Sequence, residues 1–210
     1  MSAWLGEMFG MGREPAAEAR WIIVDCETSG LEPSRDSLIS LAAVAVKAQR
    51  IVPSDCFSTM LRQEQTSGRE NILVHGIGKE RQSSGAAPTG ALSAFLAFAG
   101  DSPRVAYRAA FDQAFIRRAA QRARRRDRGS WLDLAQLLPV AFPQLGNREA
   151  TLDAWLSVFG IAHGLRHDAL GDAYATAQLF QVALAEALRQ GFSTVGAVLR
   201  AARAGRWTPA

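Results

Sequence analysis

Asp25 and Glu27 stand two residues apart in the run D-C-E, directly after the apolar stretch Trp21-Ile22-Ile23-Val24. Residues i and i+2 of a strand project to the same face, so both carboxylates point one way and Cys26 the other. Two acids held side by side repel unless a cation lies between them. Hard oxygen donors of this kind suit Mg²⁺ or Mn²⁺. Alone, the pair reads equally well as two solvated acids at a strand end. Asp112 follows a short apolar run and falls in the first turn of a long helical pattern, where it could simply compensate the helix dipole. Asp168 and Asp172 flank the start of another helix, with Asp168 in the place of a capping residue and His167 just before it.

The elements that must carry these residues follow from the hydrophobic pattern. Trp21-Ile22-Ile23-Val24 predicts a buried strand that ends in a loop containing Gly30 and Pro33. Residues 37–47 predict a second strand, Gln49-Arg50 a weak turn, and residues 51–61 a third strand whose beginning Pro53 demotes to an edge. Together they form an antiparallel meander. Residues 62–87 are polar and rich in Gly and Ser, enclosing the apolar island Ile72-Leu73-Val74-His75-Gly76-Ile77. A helix is predicted over 88–100, with Pro88 near its start and Gly100 as its stop. A short strand over 104–107 leads to a helix over 110–126 with the apolar stripe Phe111, Phe115 and Ile116. Another short strand at 131–134 is followed by helices near 134–140, 151–159, 169–190 and 193–204. Three strands followed by alternating strands and helices imply an α/β domain with a mixed sheet.

Composition narrows the classes. The chain has 210 residues, 24 Lys+Arg against 20 Asp+Glu, and 48% hydrophobic residues, which suits one domain with a sizeable core. No run approaches the ~18 apolar residues of a membrane helix, and the start MSAWLGEMFGMGREP has no signal-peptide pattern. Cys26 and Cys56 form neither a CxxC pair nor a zinc spacing, so a reducing, cytoplasmic setting is the default. The pI of 9.7 is carried mostly by arginine, with lysine only at Lys47 and Lys79. That fits a nucleic-acid partner or an Arg-rich habit equally well. Seven arginines lie in RRAAQRARRRDRG (117–129). They read as a solvated helix face and loop, or as a patch tracking a phosphate backbone.

Taken in order, VDCETSGLEP, VAYRAAFDQAFIRR and LRHDALGDAYATAQLF form a more specific pattern. It resembles the DEDD-type exonuclease superfamily, in its histidine-containing DEDDh branch, which includes the proofreading epsilon subunit of bacterial DNA polymerase III. The first segment is similar to the form D-x-E-T-[ST]-G, the second to a strand-turn-helix segment ending in F-D, and the third to H-x4-D as His167 to Asp172. WLDLAQLL, TLDAWLSVFGI and VHGIGKE also resemble the family's connecting segments, and the likeness runs over residues 20–185. One departure is Tyr107-Arg108, where members often carry His-Asn; it bears on substrate preference more than on chemistry.

The resemblance implies a ribonuclease H-like fold, with a mixed β-sheet (antiparallel meander, then parallel strands) flanked by helices. The nuclease domain is then expected over 20–190, and the residues outside it read as a peripheral segment over 1–19 and a C-terminal helix and tail over 191–210. Asp25, Glu27, Asp112 and Asp172 are then ligands of two Mg²⁺ (or Mn²⁺), with Asp25 bridging both ions and His167 the general base. The implied reaction is 3′→5′ exonucleolytic hydrolysis of a terminal phosphodiester, releasing a nucleoside 5′-monophosphate. Thr28, Gly30, Leu31, His75 and Tyr107 are candidate substrate contacts, each also readable as turn or packing. Expected partners are DNA or RNA 3′ ends, with a polymerase or another DNA-processing protein as a further one, and no membrane. An RNA or oligoribonucleotide exonuclease and a catalytically silent nucleic-acid or polymerase-binding module are the competing readings. The short stretch after Arg189 favours a stand-alone nuclease, or one recruited by a short tail.

Overall fold

The structure, a computed structural model, describes residues 12–145, 151–162 and 168–204. Five strands form one sheet in the order β3-β2-β1-β4-β5. Strands β1 (Trp21–Thr28), β2 (Leu38–Lys47) and β3 (Arg50–Met60) pair antiparallel. Strands β4 (Arg104–Ala106) and β5 (Trp131–Asp133) run parallel to β1. This is the expected meander followed by parallel strands. It brings the carboxyl ends of β1, β4 and β5 to one edge of the sheet, where open α/β sheets place their ligands.

Side-chain alternation along β1 builds two cores. Trp21 and Ile23 face one of them, which also contains α7 (Ala169–Arg189), α5 (Leu134–Ala141) and α8 (Val195–Ala204). Trp21 packs on Phe180 with ring centroids 5.1 Å apart. Ile22, Val24 and Cys26 face the other core, with α3 (Pro88–Ala99) and α4 (Ala110–Arg122). Covered on both faces, β2 is buried from Leu38 to Val46, which is why its sequence reads as one apolar run. Ala16 and Ala19 are buried in the first core, so the described residues just before β1 are anchored there. Backbone bonds from Ala16 to Ser193 and from Val195 to Glu14 tie them to the start of α8.

Four local features differ from the expectation. The polar stretch 62–87 contains α1 (Arg69–His75) and α2 (Lys79–Ser83), too short to show a helical period. Gly76, at φ 68°, ends α1 in the left-handed conformation. The helix expected to reach residue 126 stops at Arg122. There Arg124 takes φ 53° and the Arg125 N–H bonds back to the Ala120 carbonyl, a Schellman-type end built without glycine. The hairpin after β2 turns on Ala48 (φ 48°) and Gln49 (φ 60°), both in the region that Asn-Gly normally supplies. In β3 the register jumps so that Val44 faces Cys56 while Ala45 faces Val52, and Pro53, Ser54 and Asp55 bulge out. Arg20 clamps the bulge through two bonds to Asp55, at 2.8 and 2.7 Å, and its guanidinium lies 4.8 Å from the Phe98 ring centre. Arg20 thereby holds the Asp55 carboxyl below its usual range.

Candidate active site

Asp25 and Glu27 lie on the last half of β1, opposite the small residues Ala42 and Ser40 of β2. They share a face with Trp21 and Ile23, the face on which α7 packs. Asp172 enters from the first turn of α7, whose amino end is capped by Asp168 accepting from the Gly171 N–H at 3.0 Å. The positive end of the helix dipole therefore lies beside Asp172. Asp25, Glu27 and Asp172 each present a carboxylate oxygen, all within 4.8 Å of one another. Glu27 and Asp172 are buried. Three acids gathered this closely, two of them out of water, are a donor set that fits a hard divalent cation.

Asp112 reaches the same cleft from the opposite face of β1. It is buried in the first turn of α4, near the Cys26 thiol. Burial pushes its carboxyl up to about 7, against the lowering effect of hydrogen bonds from Cys26. The Cys26 thiol is itself raised, first by burial and then by the charges of Asp112 and Asp25. The acids therefore gather as three plus one, with Asp112 outside the tight cluster. His167 lies outside the described residues.

The cleft holds about 470 Å³. Thr28, Gly30, Leu31, His75 and Tyr107 all line it, together with Arg108 and Phe111. Several of these side chains also have structural tasks. The Thr28 hydroxyl donates to the Gly30 carbonyl at 2.7 Å. Gly30 lies against the Asp36 carboxylate, which a side chain at this position would have to displace. Leu31 stands 81% exposed at the cleft mouth, an apolar side chain with no packing of its own. His75 is buried, its Nδ1 accepting from the Ile77 N–H at 3.0 Å. Its Nε2 then carries the proton and donates to Ser67 Oγ at 3.2 Å. Gln82 completes this knot through Ser67 and the Ile77 carbonyl. Tyr107 is half-buried, and desolvation pushes its phenol up to about 12.

Two contacts could not be read from the sequence. Asn71 of α1 donates to the Ser29 carbonyl and so ties the loop after β1 to the far wall. Asp133, at the end of β5, accepts from the Arg108 N–H at 3.0 Å and from the Ala135 N–H at 3.1 Å. Arg108 is thereby held at φ 59°, a left-handed conformation in which Asn is among the best tolerated side chains.

Residues 22–180 match the RNase_T family, described as Exonuclease. The chain belongs to this exonuclease family. It therefore carries a nuclease hydrolase domain. It is 31% identical over 207 residues to a DNA polymerase III subunit epsilon-like protein of Rhodobacter capsulatus, covering 94% of this chain and 29% of that protein. A PolC-type DNA polymerase III of Thermotoga maritima is 30% identical over 164 residues, covering 78% of this chain and 12% of that protein. The chain thus spans less than a third of these relatives. E. coli exonuclease I in complex with a dT13 oligonucleotide superposes with a TM-score of 0.69 at 18% identity, over 82% of this chain and 42% of the other. That likeness establishes the ribonuclease H-like fold. No helix among the described residues is long and apolar enough to cross a membrane.

Proposed function

We propose that the protein is a 3′→5′ exonuclease that removes nucleotides from single-stranded DNA ends and releases nucleoside 5′-monophosphates. The convergence of Asp25, Glu27 and Asp172 within 4.8 Å carries this reading. Asp25, Glu27 and Asp172, with Asp112 from the opposite side, would hold two Mg²⁺ or Mn²⁺. Such a pair supplies positive charge for the attacking and leaving oxygens of an in-line displacement. His167, five residues before Asp172 in sequence, is the general base that accepts a proton from the attacking water. Leu31 and Tyr107 offer apolar surface to the terminal base and sugar, and Thr28 and Gly30 shape the turn beneath them. DNA is favoured because E. coli exonuclease I, which shares the fold, was solved with a dT13 oligonucleotide. A polymerase partner is drawn from the epsilon-like and PolC-type relatives.

The test is incubation of 3′-labelled single-stranded DNA and RNA with purified protein and Mg²⁺. Stepwise release of labelled mononucleotide from DNA, abolished by Asp25→Ala in a folded protein, is the expected result. Preferential loss of the RNA label would move the substrate to oligoribonucleotides. Degradation of neither would leave a silent binding module.

A further inference from the structure

Arg108 has a place in the cleft that the carboxylates do not explain. It is the single arginine or lysine among the described residues lining the cleft, which Asp25, Glu27, Asp112 and Asp172 also line. It is exposed, and the ion pairs among the described residues, Arg20–Asp55, Arg104–Asp127 and Arg189–Glu186, do not use it. Its backbone is held left-handed at φ 59° by the Asp133 carboxylate. A long side chain in that conformation is disfavoured, and such strain gathers at ligand-binding sites. Tyr107, its neighbour in sequence, lines the same cleft.

We propose that Arg108 binds the phosphodiester one nucleotide upstream of the scissile bond, making it a determinant for oligonucleotide over mononucleotide substrates. This inference rests on the nuclease reading above. The scissile phosphate belongs beside the converging oxygens of Asp25, Glu27 and Asp172. Arg108 lines the same cleft with an exposed side chain, outside that cluster, and so can meet a second phosphate of the strand. Its planar fork matches two oxygens of one phosphate.

Arg108→Asn removes the charge and places a residue that tolerates the left-handed backbone, so the fold is kept. With a dT oligonucleotide, KM rises about tenfold, as expected for one charge-assisted contact. The plot of log KM against log salt flattens by about 0.7, one single-strand phosphate. Arg108→Lys recovers part of both changes. With the 4-nitrophenyl ester of thymidine 5′-monophosphate, which carries one phosphate, the loss is at least fivefold smaller than with the oligonucleotide. Equal losses on the two substrates, or an unchanged salt slope, would overturn the assignment. Fluorescence anisotropy of a labelled dT oligonucleotide, with Ca²⁺ in place of Mg²⁺, reads the same contact without turnover. A wild-type protein that binds but never cleaves counts against the nuclease reading, while the binding slope still decides the role of Arg108.

Discussion

The Cys26 thiol and the Asp112 carboxyl are buried near one another on the face of β1 that turns away from Asp25 and Glu27, and each acts on the titration of the other. Asp112 thus lies beside a neutral thiol, apart from the cluster of Asp25, Glu27 and Asp172. Burial raises its carboxyl from 3.8 to about 7 in the folded chain. The folded state then binds a proton that the unfolded state has already released between about pH 4 and pH 7. In chelator, stability falls as pH rises through this window. Asp112→Asn removes that dependence, which thermal melts at several pH values in EDTA will read. A wild-type melting temperature that is flat or rising from pH 4 to 7, relative to the variant, would contradict the assignment.

The clustering of Asp25, Glu27 and Asp172 has an energetic sign of its own. Like charges this close oppose folding until a cation joins them. Asp172→Asn should raise the melting temperature in EDTA and abolish the upward shift that Mn²⁺ produces by mass action in the wild type. Turnover should fall by more than about 100-fold, since losing even a residue that only supports a metal ligand costs 10–100-fold. Calorimetric titration of Mn²⁺ into both proteins checks the binding half of this prediction.

Behind β4 lies a buried ion pair unconnected with chemistry. Arg104 is fully buried and meets Asp127 at 2.8 Å, while Asp127 accepts from the Trp131 indole at 2.7 Å. A Cβ on Gly129 would clash with the Arg104 guanidinium. Asp127→Asn leaves an uncompensated buried cation and should cost about 3–5 kcal/mol in urea unfolding. Gly129→Ala should destabilise by displacing the same guanidinium. Metal affinity measured at low temperature should survive both changes.

The Ala48-Gln49 turn carries two left-handed residues without glycine or asparagine. Ala48→Asn with Gln49→Gly should stabilise the chain by about 1–2 kcal/mol, with no change in metal affinity. The Gln49 carbonyl also accepts from Gln181 at 2.8 Å, a bond that either residue at this position preserves. An unchanged urea midpoint would show that the turn carries no strain.

Most of the sheet was legible because its strands are either continuous apolar runs, as in β2, or end on marked residues such as the D-C-E of β1. That Asp25 and Glu27 share a face was legible through strand periodicity, while their approach to Asp172 depends on how α7 packs on that face. Other features were not, each for a physical reason. Helices α1 and α2 hold seven and five residues, fewer than two helical turns apiece. Arg124 ends α4 in a conformation that normally advertises itself through glycine. The Asp133 clamp on Arg108 joins residues 25 apart in sequence, and no local rule pairs them. Cys26 was correctly expected to face away from Asp25, yet its partner there, Asp112, depends on how α4 packs against β1.

The bulge at Pro53, Ser54 and Asp55 interrupts the longer of the two sheet edges, and β5 at the other edge is three residues long. An unbroken outer strand is a template on which a second chain can add and aggregate. Here Pro53 withholds a donor and Arg20 pins the kink in place. The molecule can thus present a long, strongly apolar sheet to its own helices while offering strangers no continuous ladder.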